Sequence, residues 1–573
     1  MTSIQDQRQS REFARTFLSA DVNLGDWNQL EGYFTDLRAR DLTSPADLEK
    51  WLDDLSELQA AISEEFSARY IEMTCHTDDP AREKAYLDYV ENIMPRCEPE
   101  YFELSRKYLA SPGRAGLDSK RFFVYDRAQE KEVAIFREEN IPLQTQDEVL
   151  SQQYQKICGE MSAEFDGSEQ TLPQLARYVE ETNRDVRRGA WSASIGRQKQ
   201  DREKLETIFD EMVRLRTQMA RNAGFENFIE YQFDRLGRFD YTPGDCHRFH
   251  ETVKKVVMPL KRMLREKRRS ALGMEKLAPW DLEVDLQGRE PLRPFETSEQ
   301  LIEGTSRIFA NVDGSFTSDF DVLRKNSLLD LDSRKGKAPG GYQSTLDEAR
   351  LPFIFMNATS RNQDVFTLLH EGGHAFHALA TRKEPLVAYR GAPIEFCEVA
   401  SMGMEMMACE RLDAFYNHVD ARRARLMHLT DVVILLPWIM RVDAMQQWMY
   451  SNPDHTRAQR EEHWLKLDAD FGDDLDWSVH PEWRGASWVS KLHFFCVPLY
   501  YIEYAIAQLG ALQLWVNYQM DAASTVAAYR KALALGNSRP LPELFETAGI
   551  RFAFDEALIA PLVEKVSQAL ELN

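Results

Sequence analysis

No C-x-x-C pair occurs in this chain, and its seven cysteines (Cys75, Cys97, Cys158, Cys246, Cys397, Cys409 and Cys496) are scattered and odd in number. That pattern argues against a disulfide framework and points to a reducing, cytoplasmic setting. A secretory leader is not expected either, since residues 1–18 carry Asp6, Arg8, Arg11, Glu12 and Arg15 with no apolar segment between them. Long apolar runs are scarce. Residues 432–440 are too few to span a bilayer, and residues 494–516 contain Glu503, Gln508 and Gln513, so they read as a buried helix. A membrane partner is therefore not expected. Excess positive charge is lacking as well. The formal net charge is −23, with acidic and basic residues interspersed, which argues against nucleic acid as a partner. There is no internal repeat and no low-complexity tract.

A chain of 573 residues exceeds what one hydrophobic core usually supports, so two lobes are expected. The reading assigns residues 1–195 to an N-terminal helical lobe and residues 196–573 to a catalytic region. Leu48, Trp51, Leu52, Leu55, Leu58 and Ile62 recur at helical spacing, and Asp78-Asp79-Pro80 marks a break and a new helix start. Helical pattern resumes from Leu172 to about Gly224 and from Pro243 to Leu272, with the charged run 261–269 read as a solvated face. Between residues 334 and 360 the texture changes to a loop and two short strands, one around Tyr342–Leu346 and one around residues 351–359. The second strand leads toward a helix and lies beside it. An edge strand there can either pair with an extended peptide or simply brace the helix. The fold class is mostly α with a minor β element.

The helix after that strand contains His370-Glu371-Gly372-Gly373-His374-Ala375-Phe376-His377. Histidines four apart stand on one helix face, the spacing two imidazoles need to share a metal ion. Glu371 points about 60° away from His374, too far to ligate beside both, and is placed to act as general base on a water. Ser360 and Gln363 offer a capping box for the helix. Gly372 and Gly373 each cost about 1 kcal/mol relative to alanine in a helix. Close approach of a substrate backbone or of a neighbouring helix would account for them. His377 lies about 10 Å along the axis from His370, so it belongs behind the metal or facing substrate. A second helical stretch, Pro393-Ile394-Glu395-Phe396-Cys397-Glu398-Val399-Ala400-Ser401-Met402, supplies Glu398 as third ligand, with Glu395 one turn before it as the fallback. Glu405, two turns further on, is placed to orient a ligand. The cluster from Asp245 to His250 has no partner set and is read as structural.

These residues carry a resemblance. The pattern H-E-x-G-H-x-x-H, with a glutamate 24 positions after the second histidine, resembles the M3 metallopeptidases and looks closest to their oligoendopeptidase F branch. The likeness extends to Arg221-Asn222-Ala223-Gly224-Phe225, Pro279-Trp280-Asp281-Leu282 and Gly536-Asn537-Ser538-Arg539-Pro540-Leu541. It implies a two-lobed helical fold with a deep central channel that admits short peptides, and one Zn2+ per chain. It also implies oxyanion-stabilising His and Tyr residues downstream, which singles out His493, Tyr501 and Tyr504. A phenol or imidazole beside the metal stabilises the charge that develops on the carbonyl oxygen, and Tyr504 is the leading donor, with His493 and Tyr501 as associates, because its position relative to His493 best resembles the family pattern.

The expected activity is zinc-dependent hydrolysis of internal bonds of short peptides, with His370, His374 and Glu398 as ligands and Glu371 as the proton acceptor. The rival within enzymes is an exopeptidase, either a carboxypeptidase or a dipeptidyl carboxypeptidase. The rival outside them is a non-catalytic peptide-binding protein with structural zinc. The sequence leaves the oligomeric state and the cleavage preference open.

Overall fold

A computed structural model of the chain describes residues 12–572. Most of the stretch on which the absence of a leader was read, residues 1–11, lies outside the described residues. The Leu-rich periodic segments fold as helices Trp27–Ala39, Pro45–Cys75, Pro80–Asn92 and Met94–Ala110. Their starts are chemically marked. Ser44 and Asp47 cap each other's backbone amides ahead of Pro45, and the Asp79 carboxylate accepts from Ala81 N at 2.9 Å. These helices form one apolar core, which also takes in Leu386 and Tyr389 from the segment just after the His370 helix. The Tyr389 hydroxyl donates to the Arg121 carbonyl at 2.6 Å, and the Tyr389 carbonyl accepts from Asn537 N at 3.2 Å. Three distant parts of the chain are thereby joined at one residue.

A larger core extends from Ala68 to Leu570 and surrounds the site. The 39-residue helix Arg184–Asn222 runs unbroken through residue 195, so the expected division between lobes falls inside a helix and not at a linker. No helix among the described residues is long and apolar enough to cross a membrane. The stretch after Pro243 divides at Val257 into helices Pro243–Val256 and Met258–Ala271. Its charged run is not wholly solvated: Lys261 is buried, donating to the Phe471 carbonyl at 2.7 Å and pairing with Asp473 at 3.3 Å. His250 is buried against Asp443 at 2.7 Å, the structural role expected of that cluster.

The sheet that leads into the His370 helix has three strands, not two, and a separate hairpin pairs Ser162–Phe165 with Ser168–Thr171. Leu351–Ala358 is central, with Leu329–Asp332 parallel on one side and Tyr342–Leu346 antiparallel on the other. Its apolar run is buried on both faces, as a central strand requires. Tyr342–Leu346 is an edge strand, and helix Pro45–Cys75 packs on it, with Thr74 and Tyr342 hydroxyls 2.6 Å apart.

The chain then turns at Ser360, whose φ of 65° is left-handed, and enters helix Asn362–Thr381. The turn moves the cap away from the expected Ser360–Gln363 pair. Asp364 supplies it instead, accepting from Thr359 N at 2.7 Å and Arg361 N at 2.8 Å. The two glycines of this helix are explained by neighbours. A Cβ at Gly373 would lie 2.5 Å from the Ala400 carbonyl oxygen, and one at Gly372 would lie 2.6 Å from Phe309 Cζ. The close partner of Gly373 is thus helix Ile394–Ala408. A Cβ at Gly510 of helix Ile502–Met520 would meet the Val399 side chain of helix Ile394–Ala408 at 2.9 Å. The backbones of helices Asn362–Thr381 and Ile394–Ala408 are therefore unusually close, and helix Ile502–Met520 packs its glycine on a side chain of the second.

Candidate active site

The His370 helix presents two imidazoles one turn apart, and the Glu398 helix brings a carboxylate to both. His370 Nε2 is 3.3 Å and His374 Nε2 is 3.5 Å from Glu398 Oε2, and the three ligand atoms lie within 4.8 Å of one another. Donors about 2.0–2.2 Å from a tetrahedral zinc stand roughly 3.3–3.6 Å apart, so the set fits such an ion with three protein ligands. Glu398 is ionised as a ligand must be. Burial alone would raise its pKa, but the two histidines outweigh burial and hold it well below the carboxylate range.

Glu371 occupies the position between the histidines. It is buried, its Oε2 has no hydrogen-bond partner among the described residues, and burial raises its pKa. A Cβ at Gly341 would lie 3.4 Å from Glu371 Oε1, so the start of the edge strand adjoins the base. Glu405 sits behind the ligands as the spacing predicts. Its Oε1 accepts from His370 Nδ1 at 2.7 Å, which fixes the imidazole with Nε2 toward Glu398 and His374. Glu405→Ala should therefore weaken metal binding about 10–100-fold while leaving the ligand set intact, as read by competition with a chelator.

Glu395 is not a ligand. Its carboxylate accepts from the Tyr241 hydroxyl at 2.5 Å and lies 3.8 Å from Arg238, one turn away from the site. His377 does not face substrate either. It is buried against the edge of Phe396, its Nε2 has no hydrogen-bond partner among the described residues, and burial followed by the nearby His374 lowers its pKa to about 3.

His493, Tyr501 and Tyr504 come together across a cavity of about 380 Å3 that also reaches His370 and Glu405. His493 Nε2 and the Tyr504 hydroxyl are 3.2 Å apart, and the Tyr501 hydroxyl accepts from Trp438 Nε1 at 3.0 Å. Burial, then the nearby Lys491, keeps His493 well below the ordinary imidazole range, so it is neutral near pH 7. Tyr500 was not singled out by the sequence reading, yet its hydroxyl donates to Glu398 Oε1, the oxygen not directed at the histidines. His428 was also missed. It stacks on Phe366 at 3.9 Å with Nε2 3.8 Å from Glu405.

The tyrosine segment is held in place from behind. Leu499 is left-handed (φ 61°), its N–H donates to Gln446 Oε1 at 2.7 Å, and its carbonyl accepts from Arg238 Nη2 at 2.6 Å. Arg238 is itself paired with the buried Glu503. A non-glycine residue at positive φ persists only where its surroundings enforce it, and here three segments do so.

Paired helices of this kind, with the third carboxylate arriving from the second helix, make a donor set that can hold one metal ion on a helical scaffold. The family follows from comparison with known proteins. The model described as Peptidase family M3 matches residues 177–564, and that of the Peptidase M3 N-terminal domain matches residues 17–136, so this chain belongs to peptidase family M3. It is 24% identical over 430 residues to Oligopeptidase PepF of Bacillus subtilis (strain 168), covering 71% of this chain and 61% of that protein. The chain thus spans about three fifths of the length of that curated relative. Among solved structures, one described as an oligoendopeptidase F matches with a TM-score of 0.93 and 29% identity, over 97% of this chain and 99% of that one. PZ peptidase A with an inhibitor matches with a TM-score of 0.92 and 26% identity, over 98% and 99%.

Proposed function

We propose that this chain is a zinc-dependent oligoendopeptidase that hydrolyses internal bonds of short peptides, with one Zn2+ held by His370, His374 and Glu398. The observation that carries the reading is the unpartnered, buried Glu371 carboxylate beside a ligand set open on the side of His493 and Tyr504. Bound zinc supplies Lewis acidity toward a carbonyl oxygen and makes water acidic enough to give up a proton near neutral pH. Glu371 accepts that proton at its free Oε2 and returns it to the leaving amine nitrogen. His493 donates Nε2–H to the Tyr504 oxygen, leaving the phenolic O–H free to stabilise the developing oxyanion. The edge strand at Gly341–Tyr342 gives an extended peptide backbone a place to align beside the base. Helix Pro45–Cys75 packs on that strand, which supports a preference for short peptides over folded proteins. Seven free cysteines support a cytoplasmic location.

Incubating the zinc-loaded protein with a mixed peptide library and reading the products by mass spectrometry tests the proposal. Cleavage at internal bonds of N- and C-blocked peptides is expected, and release of C-terminal residues or dipeptides alone would overturn it. Between the tyrosines, Tyr504→Phe should lower kcat about 100–1000-fold with little change in KM, the cost of losing one oxyanion donor. Tyr501→Phe, which leaves the His493–Tyr504 pair intact, should cost less than tenfold.

A further inference from the structure

The cavity beside the ligands contains one lysine or arginine among its lining residues, Lys491, and nothing in the mechanism above uses it. Its backbone is pinned on both sides. Lys491 N donates to the Trp488 carbonyl at 3.0 Å, and its own carbonyl accepts from Phe494 N at 3.2 Å. Its ammonium lies 4.6 Å from the centre of the Tyr501 ring, and that ring is fixed in turn by Trp438. A cation over an aromatic face is positioned by the ring without being neutralised by it. Among the described residues no carboxylate lies within ion-pair distance of Lys491.

The other charges on the cavity wall do not compensate it. Glu405 is committed to His370. Asp431 lies on helix His418–Ser451 seven residues from Trp438, about 10 Å along the axis from the end where Lys491 sits. Between them the wall is apolar, with Val432, Ile434 and Leu435. A second donor points to a built site. Gln508, on the helix face that carries Tyr501 and Tyr504, lines the cavity, and its buried Nε2 has no partner among the described residues. A volume of about 380 Å3 is near the small end of ligand cavities, which run to about 1000 Å3, so it encloses a short stretch of peptide and not a long one.

We propose that Lys491 determines specificity by taking a carboxylate of the peptide substrate, supplied either by its C-terminus or by an acidic side chain near it. The proposal rests on the peptidase reading and deepens it. A protein of net charge −23 repels such a group over most of its surface, so a carboxylate that enters this cavity needs a local cation, and Lys491 is the one placed to meet it. Gln508, further along the same stripe, is a donor for a peptide carbonyl.

The test uses three N-blocked peptides of one sequence: one ending in a free carboxylate, one in a carboxamide, and one in a carboxamide with glutamate as its last residue. Each is assayed with the zinc-loaded wild-type protein, Lys491→Met and Lys491→Arg. The wild type should favour at least one carboxylate peptide over the plain carboxamide by tenfold or more in kcat/KM, mostly through KM. The favoured peptide identifies the source of the carboxylate. The ratio should fall to near one in Lys491→Met and recover in part in Lys491→Arg. Because each ratio is taken within one protein preparation, partial misfolding cancels. A wild-type ratio near one for both carboxylate peptides, or a ratio that survives Lys491→Met, would overturn the proposal. Equilibrium binding of the same peptides to Glu371→Gln, with and without Lys491→Met, separates the two readings. If the wild type cleaves nothing, the peptidase reading fails, while a carboxylate preference in binding that requires Lys491 still supports this one.

Discussion

Glu371→Gln, loaded with zinc, should bind its metal and its peptides as the wild type does and hydrolyse them about a thousandfold more slowly or worse. Glutamine keeps the shape of the side chain and cannot accept a proton. Proton transfer by a positioned base is worth about 10²–10⁴-fold, and a thousandfold is about 4 kcal/mol of barrier. The structure makes this a clean substitution. Glu371 Oε2 has no hydrogen-bond partner among the described residues, so no structural bond is lost with the charge. The side chain also stands outside the set of donor atoms within ligating reach of one another. Metal content by elemental analysis and rate on a single blocked peptide decide the matter together. Near-normal turnover in the variant would remove Glu371 from the mechanism, and loss of metal would make it a ligand.

The second large effect falls on Glu398. Glu398→Ala should release the metal during dialysis against a mild chelator under conditions where the wild type keeps it. The loss of affinity should exceed the 10–100-fold expected of Glu405→Ala, because Glu398 is placed to ligate the ion directly and Glu405 to act through His370. Activity should vanish with the metal and return little on adding zinc. Among the described residues no other carboxylate joins the His370 and His374 donor set, and Glu395 is held by Tyr241 and Arg238. The ordering is the test: a Glu398→Ala protein that retains zinc better than Glu405→Ala would move the third ligand elsewhere.

His370, Glu371, His374 and Glu398 were legible in the sequence because a helix converts spacing into direction, and two helices with the right spacing leave few choices. Glu405 was legible for the same reason. Tyr500 was not, because its use depends on Leu499 turning left-handed, and that turn is enforced by Arg238, Gln446 and Glu503 from segments far apart in the chain. His428 likewise reaches Glu405 from a helix without a motif. The strand Leu329–Asp332 escaped notice because it is four residues long and pairs in parallel with a strand more than twenty residues away, a contact that leaves no local pattern. The cap was misplaced for a related reason: Ser360 has the right chemistry, but its positive φ passes the task to Asp364. Composition and helical periodicity gave the fold class, while the packing of the two cores against each other through Leu386 and Tyr389 is purely tertiary.

The contact between Gly373 and the backbone of Ala400 and Ser401 bears on how such a site is assembled. In small zinc modules the ion organises the chain, and removing it unfolds the protein. Here the separation of the two helices that carry the donor set is fixed by glycine against main chain within a large apolar core, so folding itself draws the donor atoms together. Little ordering remains for metal binding to bring about, and nearly all of its free energy appears as affinity. Withdrawal of the ion then becomes a reversible exchange between active and inactive copies of the same folded molecule. On the zinc reading proposed above, the active fraction should follow the free zinc level, while the amount of folded protein, held by the apolar core, should change little.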